Sequence, residues 1–260
     1  MSRKRILVTG VAGTIGQACV DHLSEQYELS GLDIKDPGTV PTLVADVGDL
    51  DAILPAFDGM DAVVHLAGNP LVSAPWDDIY QINIQGTYNV FEACRIHGVP
   101  AVVFASSNHA IGGYEMDGAP KIYGLDDSRV YDHTVELRPD SLYGVSKIFG
   151  EAVGRYYAEF HGVRSYNLRI GSVRADDDPQ DPSVPNGSFW LDISPQDKFD
   201  RMRATWLSKR DCAGLIAACI EAEDVPFAIV YGISNNPRQF WDLSHAEALL
   251  DWKPIDSAPE

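Results

Sequence analysis

Short apolar runs alternate with amphipathic stretches along almost the whole chain. Residues 5–9, RILVT, run into the glycine-punctuated GVAGTIG, after which IGQACVDHLSEQ carries its apolar groups at helical spacing. That pattern predicts a strand, a glycine turn and a helix. YELSGLDI predicts a second strand ending near Asp33, LVADV a third with Asp46 near its end, and a helix follows from about Asp49 to Phe57. DAVVHLAG and VPAVVFASS predict strands on either side of a helix spanning roughly Ile79 to His97. A long helix from about Leu142 to Glu159 leads to a sixth strand, VRSYNLRIGS; CAGLIAACIEA predicts a helix, FAIVYGIS a seventh strand and SHAEALL a terminal helix. Strands alternating with helices imply an α/β fold with a doubly wound parallel sheet. Right-handed crossovers bring the strand carboxyl ends, and with them any ligand site, to one edge.

The alternation lapses between Val173 and Asp200, where RADDDPQDPSVPNGSFWLDISPQDKF is rich in Pro, Asp and Gly. A connection of that length predicts a functional loop, with Phe189 and Trp190 packing down as part of a lid. Ser208, followed three residues later by Asp211, resembles a capping box for the next helix. The expected organisation is a core over 1–173, a substrate loop or lid over 174–206, a helix and strand returning to the core over 207–231, and a substrate-side tail over 232–260.

Composition narrows the function classes. With 260 residues, 45% of them hydrophobic, the chain can bury a sizeable core. A formal charge of -18 excludes a basic stripe able to displace counterions from nucleic acid, and it also suits a protein that stays soluble at high salt. No segment has the apolar length of a membrane span or the layout of a signal peptide, so neither is expected. Cys19, Cys94, Cys212 and Cys219 stand in apolar helical contexts without ligand-like pairing. A reducing, cytoplasmic setting and no metal site are the expectation.

Candidate chemistry begins at the first turn. Gly10, Gly13 and Gly16, spaced by three between a strand and a helix, permit a tight turn, close approach of a pyrophosphate and close helix–strand packing. The amides around Thr14 and Ile15 would receive the phosphate charge. Asp33, 17 residues beyond Gly16, is placed to accept hydrogen bonds from an adenosine ribose and to repel a 2'-phosphate, which favours NAD over NADP. Asp46 and Val47 are candidates to bracket the adenine. The sheet is therefore expected to be Rossmann-like, with a small C-terminal substrate-binding region.

Tyr143 and Lys147, four positions apart at the start of a helix, project from one face. An adjacent ammonium favours the phenolate, so Tyr143 is expected to be drawn down from its reference pKa and to serve as a base. Ser107 ends the fifth strand on the ligand edge and is the best hydroxyl to hold the reacting oxygen. Asn108 and His109 either contact polar substrate groups or satisfy loop backbone. Asn83 either holds a proton-relaying water beyond Lys147 or repairs a backbone irregularity. Arg169 reads as neutralising an acidic interior. Arg201 and Arg203 either grip a carboxylate or phosphate in two-point geometry or balance the preceding aspartates. On residues alone the reading reaches NAD-dependent oxidation of an alcohol or hemiacetal with an anionic end.

TGVAGTIG, Asp33, HLAG at 65–68, NIQGT at 83–87, SSNH at 106–109 and YGVSK at 143–147 resemble the extended short-chain dehydrogenase family. FASSNHAIG and RPDSLYGVSK are similar above all to uronate dehydrogenases and related NAD-dependent sugar 1-dehydrogenases. The resemblance implies oxidation of an anomeric carbon to a lactone. It gives Ser107 the positioning of the oxygen, Tyr143 the role of base, and Lys147 support of both tyrosine and ribose. It places Leu66, Ala67, Gly68 and Ile170 at the cofactor, and Ser73, Asn108, His109 and Ser172 at the sugar. RMRATW puts the anion clamp on Arg201.

The segment from Ala175 to Phe199 is longer than the corresponding stretch in uronate dehydrogenases, and APW at 74–76 and VYGISNNPR at 230–238 resemble a related branch that includes sugar-phosphate and neutral aldose dehydrogenases. The anion is thus a carboxylate or a phosphate. A nucleotide-sugar epimerase or dehydratase would use the same serine, tyrosine and lysine, and a nonenzymatic NAD-binding scaffold would need only the glycine turn. The resemblance also implies a homodimer or higher homo-oligomer through helices beside the sheet, although such a helix reads equally as a covered core helix.

Overall fold

The computed structural model describes residues 3–181, 183 and 192–259. Among them, seven strands form one parallel sheet: β1 (Arg5–Thr9), β2 (Glu28–Asp33), β3 (Thr42–Val44), β4 (Ala62–His65), β5 (Ala101–Ser107), β6 (Arg164–Ile170) and β7 (Phe227–Gly232). Their spatial order is β3-β2-β1-β4-β5-β6-β7. Every strand expected from the apolar runs is present. The order reverses between β1 and β4, which opens a crevice at their carboxyl ends.

Both faces of the sheet are buried, and successive residues serve opposite cores because side chains alternate along a strand. Ile6, Val8, Val64, Val103 and Leu168 face one core, closed by α1 (Thr14–Leu23) and α8 (Lys209–Glu221). Leu7, Val63, Val102 and Phe104 face the other, with α2 (Leu50–Ile53), α4 (Gly86–His97) and α6 (Leu142–His161). The helix α6 lies very close over β5. A Cβ at Gly150 would fall 2.2 Å from Cζ of Phe104, so any larger residue there would lift the helix. At its start, the Ser141 hydroxyl accepts the Gly144 amide at 3.0 Å, a cap that places Tyr143 and Lys147 in the first turns beside the end of β5.

Several helices differ from the sequence expectation. The stretch from Ile79 to His97 is not one regular helix: α3 (Trp76–Asp78) passes into a π-helical turn, Ile79–Gln85, before α4. The helix over 49–57 tightens into a 3-10 turn from Leu54, because Pro55 has no amide to continue the α ladder. Two further helices were not expected: α5 (Gly112–Gly118) and α7 (Pro195–Thr205), the latter within the stretch that reads as loop. A capping box between Ser194 and Asp197 and a proline in its first turn start α7, but its mostly polar composition leaves no apolar period to detect. At Ser208 the hydroxyl does cap α8, while the Asp211 carboxylate turns instead to Ser234 and the backbone of Ile255 and Asp256.

A third apolar cluster joins Ile122 and Tyr123 to Ala204, Tyr231, Phe240 and Trp241, so the segment after α5, α7 and the tail pack together beside the sheet edge. The tail also returns to the first core through α9 (Ser244–Leu250) and Trp252. Phe189 and Trp190, expected in a lid, lie outside the described residues. Among the described residues no helix is long and apolar enough to cross a membrane, no group of side chains could hold a metal ion, and the four cysteines are buried and free.

Candidate active site

At the crevice, Gly10 leaves β1 with φ of +72°, and a Cβ there would lie 2.7 Å from the Ala67 amide nitrogen. A Cβ at Gly16 would lie 2.4 Å from the Gly10 carbonyl oxygen. Only glycine fits at either position. The helix α1 starts at Gly13 with no side-chain cap and no acidic residue in its first turn. Its first amides, at Thr14 and Ile15, therefore present donors and a positive dipole end to the crevice, the donor set a pyrophosphate requires.

Gly10, Gly13, Thr14, Ile15 and Gly16 line a cavity of about 880 Å³, with Leu66, Gly68 and Ile170 on its walls. Asp33, at the end of β2, accepts the Ala12 amide at 2.9 Å and the Lys35 amide at 3.1 Å, which braces its carboxylate against the glycine turn. Asp46 caps the Gly48 amide at 2.8 Å, and Val47 is a core residue against Gly86; neither borders the cavity. Asp33 likewise does not border the cavity, and the residues that do, above all the glycine turn, fit an NAD cofactor.

Ser107, Tyr143 and Lys147 meet on one wall of the same cavity. The Ser107 hydroxyl stands close enough to the Tyr143 phenol to favour its ionised form. Lys147 Nζ lies 5.3 Å from the Tyr143 ring centroid and 5.1 Å from that of Phe104. The expectation that the ammonium would draw the phenol down is not met in the free protein. Burial pushes Tyr143 up to about 12 and Asp140 adds to this, while the Ser107 hydroxyl pulls the other way. Burial also pushes Lys147 down to about 8, which weakens the very charge that was to stabilise a phenolate.

Beyond the phenol, His109 stands edge-on to Tyr143 with ring centroids 5.6 Å apart, and its Nδ1 is 2.7 Å from the buried Asp140 carboxylate. Asn108 accepts the Ser107 hydroxyl at 3.1 Å, while its buried Nδ2 has no partner among the described residues. Ser172 and Arg201 line the cavity too. Arg201, on α7, donates through Nε to Glu115 at 2.6 Å and through Nη2 at 3.4 Å. Burial works against its charge, but the Glu115 carboxylate holds the guanidinium above its ordinary pKa. Asn83 sits in the π-helical turn, accepting the Asn69 amide at 2.7 Å and donating to the Asn69 carbonyl and the Ser146 hydroxyl, both at 3.1 Å. It thus ties the segment after β4 to α6 one residue before Lys147. Ser73 is exposed and does not border the cavity.

The model of the NAD-dependent epimerase/dehydratase family matches residues 6–186, from β1 through the glycine turn and the Tyr143–Lys147 helix. The chain belongs to this family. Within it, the chain is 40% identical to an NAD-dependent glucose-6-phosphate dehydrogenase of Haloferax volcanii, over 98% of this chain and 94% of that protein. It is 37% identical to a uronate dehydrogenase of Agrobacterium fabrum, over 98% of this chain and 86% of that protein. A solved variant of uronate dehydrogenase from Agrobacterium tumefaciens, complexed with NAD, superposes with a TM-score of 0.79 at 35% identity, covering 99% of this chain and 86% of that one. The protein is an NAD-dependent oxidoreductase of a family of sugar dehydrogenases and epimerases.

For this family member, the structure adds residues that the sequence reading missed. Arg174 and Lys198 also line the cavity. Arg174 is bridged to Asp176 at 2.8 Å and Asp181 at 3.3 Å, so in sequence it disappears into an acidic run. Glu115 and Asp140 meet their partners 86 and 31 positions away, a separation no local motif reports. Arg169, read as a neutralising group, makes a two-point pair with Glu151 at 2.9 Å, and Glu151 also accepts the Ser106 hydroxyl at 2.6 Å. That buried network lies one helical turn beyond Lys147 and locks α6 to β5 and β6.

Proposed function

We propose that the protein oxidises the anomeric carbon of a cyclic sugar acid, glucuronate or galacturonate, to an aldarolactone. One observation carries this reading: Ser107, Tyr143 and Lys147 line a single cavity together with the glycine turn and Arg201. NAD, when bound, supplies the acceptor for the hydride on C1. Tyr143 Oη, as the phenolate that the Lys147 charge must favour against burial, takes the proton of the C1 hydroxyl, and Ser107 Oγ holds that oxygen by a hydrogen bond. Loss of that proton and the hydride turns the hemiacetal carbon into a lactone carbonyl, with release of one proton and NADH.

Lys147 holds a positive charge beside the phenol and is placed to reach the nicotinamide ribose. The orphaned Asn108 Nδ2 is a donor suited to a sugar oxygen, since a buried amide without a partner costs about 1–3 kcal/mol until a ligand satisfies it. Arg201 offers a guanidinium to the carboxylate on C5. Similarity to the Agrobacterium fabrum uronate dehydrogenase supports this substrate class.

A second reading, oxidation of a sugar 6-phosphate, is favoured by a separate observation. Lys198 and Arg174, the latter bridged to Asp176 and Asp181, line the same cavity as Arg201, and added cations suit a phosphate better than a single carboxylate. The Haloferax volcanii relative supports it.

The test is initial NADH production by purified protein with NAD. Glucuronate, galacturonate, glucose 6-phosphate and neutral aldoses are compared at matched concentrations, at low and high salt because the chain is strongly acidic. Uronate preference is expected; phosphate preference would establish the second reading. Absence of NADH from every sugar would overturn both and direct attention to epimerase or dehydratase chemistry. Tyr143→Phe should lose turnover while keeping NAD binding, and retained turnover would refute its role as base.

A further inference from the structure

Arg201 does not enter the cavity as an uncompensated cation. Its guanidinium forms part of the cavity wall, whereas Glu115, on α5, is 2% exposed and stands behind that wall. Both Glu115 oxygens are turned to Arg201, Oε1 to Nε at 2.6 Å and Oε2 to Nη2 at 3.4 Å. Oε1 also accepts the Tyr123 hydroxyl at 2.8 Å, so a second donor moderates the same carboxylate. Asp140 adds further negative potential at Arg201. The pair is held between α5 and α7, two elements joined through the third apolar cluster rather than through the sheet.

We propose that Glu115 is a specificity-determining residue, the fixed counter-charge that sets how strongly Arg201 discriminates anionic from neutral sugars. This rests on the reading of the cavity as a sugar site. With Glu115 ionised, the pair carries no net charge, and an incoming carboxylate or phosphate gains from Arg201 only what its closer approach leaves after repulsion by Glu115. A neutral sugar feels neither effect. The carboxylate therefore keeps the site open to neutral substrates while orienting the guanidinium for an anionic one. Burial sharpens the effect, because opposing charges are screened less away from solvent.

Glu115→Gln keeps the shape and an oxygen acceptor for Nε and Tyr123 but removes the charge. The comparison is between glucuronate and glucuronamide, which differ at the group facing Arg201 and little elsewhere. The ratio of kcat/KM for the acid to that for the amide should rise roughly fiftyfold in Glu115→Gln, the scale of one unit charge about 7 Å away, across the width of a guanidinium, at an effective dielectric of about 20. Tyr123→Phe should move it in the opposite direction, by roughly twofold, since losing one hydrogen bond leaves the Glu115 charge less moderated.

Binding of both ligands to the protein with NADH, measured by calorimetry, reads the same ratio without turnover. It separates failure of this proposal from failure of the proposed reaction. Equal loss for acid and amide in Glu115→Gln, an unchanged ratio, or a rise in both variants would overturn the role. Should Glu115→Gln fail to fold, a ratio in Tyr123→Phe that does not fall would do so alone.

Discussion

Lys147 is needed beside Tyr143, and the fold is expected to be less stable for holding it there. Its ammonium is pushed by burial from 10.5 down to about 8, with no carboxylate offsetting that cost. At about 1.4 kcal/mol for each pH unit between those values, keeping the charged form inside costs roughly 3 kcal/mol. Contacts of the ammonium with the Phe104 and Tyr143 rings return about 1 kcal/mol at most. Lys147→Met, with a side chain of similar reach and no charge, should therefore stabilise the cofactor-free protein by about 2 kcal/mol near pH 7 while abolishing NADH production.

The pH dependence carries the argument. Below the folded value of about 8 the lysine is charged in both states, and the full cost is present. From about 8 to 10.5 the unfolded chain keeps a proton that the folded one has released, so unmutated protein gains stability as pH rises. Tyr143, near 12, stays protonated across this window. Urea unfolding of both proteins at about pH 7 and about pH 10 should show the gap close. A variant less stable than its parent at neutral pH, or a gap that stays constant, would refute the reasoning.

Two other expectations follow from the same geometry. Asp33→Ser removes the carboxylate proposed to repel a 2'-phosphate, and the kcat/KM ratio of NADP to NAD should rise at least about tenfold, the effect of one unit charge; an unchanged ratio would remove Asp33 from cofactor selection. Arg169→Met leaves Glu151, 4% exposed, as an unpaired buried charge, and should cost about 3–5 kcal/mol in urea unfolding, whereas adding Glu151→Leu should recover most of it. Equal losses in the single and double variants would show that packing, rather than the stranded charge, sets the cost.

The amino-acid sequence determined by itself whatever depends on near neighbours along the chain. Alternating apolar runs specify seven parallel strands, the central ones buried because each of these must fill a core on both faces. Gly10, Gly13 and Gly16 specify the turn because their spacing is a backbone requirement, and Tyr143 with Lys147 specify a shared face because four residues make about one helical turn. Asp33 falls at the end of β2 for the same local reason.

What only the tertiary structure decided depends on burial and on partners far apart in sequence. The shifts of Tyr143 upward and Lys147 downward come from enclosure, which no four-residue spacing reports. The polar sequence of α7 hid a helix whose Arg201 is held by Glu115 across 86 positions. The π-helical turn at Asn83 shows the same dependence, since its side chain reaches Asn69 across 14 positions of sequence and Ser146 across 63. Local periodicity specifies elements; the charges and hydrogen bonds of the site are set by which of those elements the fold brings together, because a buried charge takes its properties from whatever stands next to it.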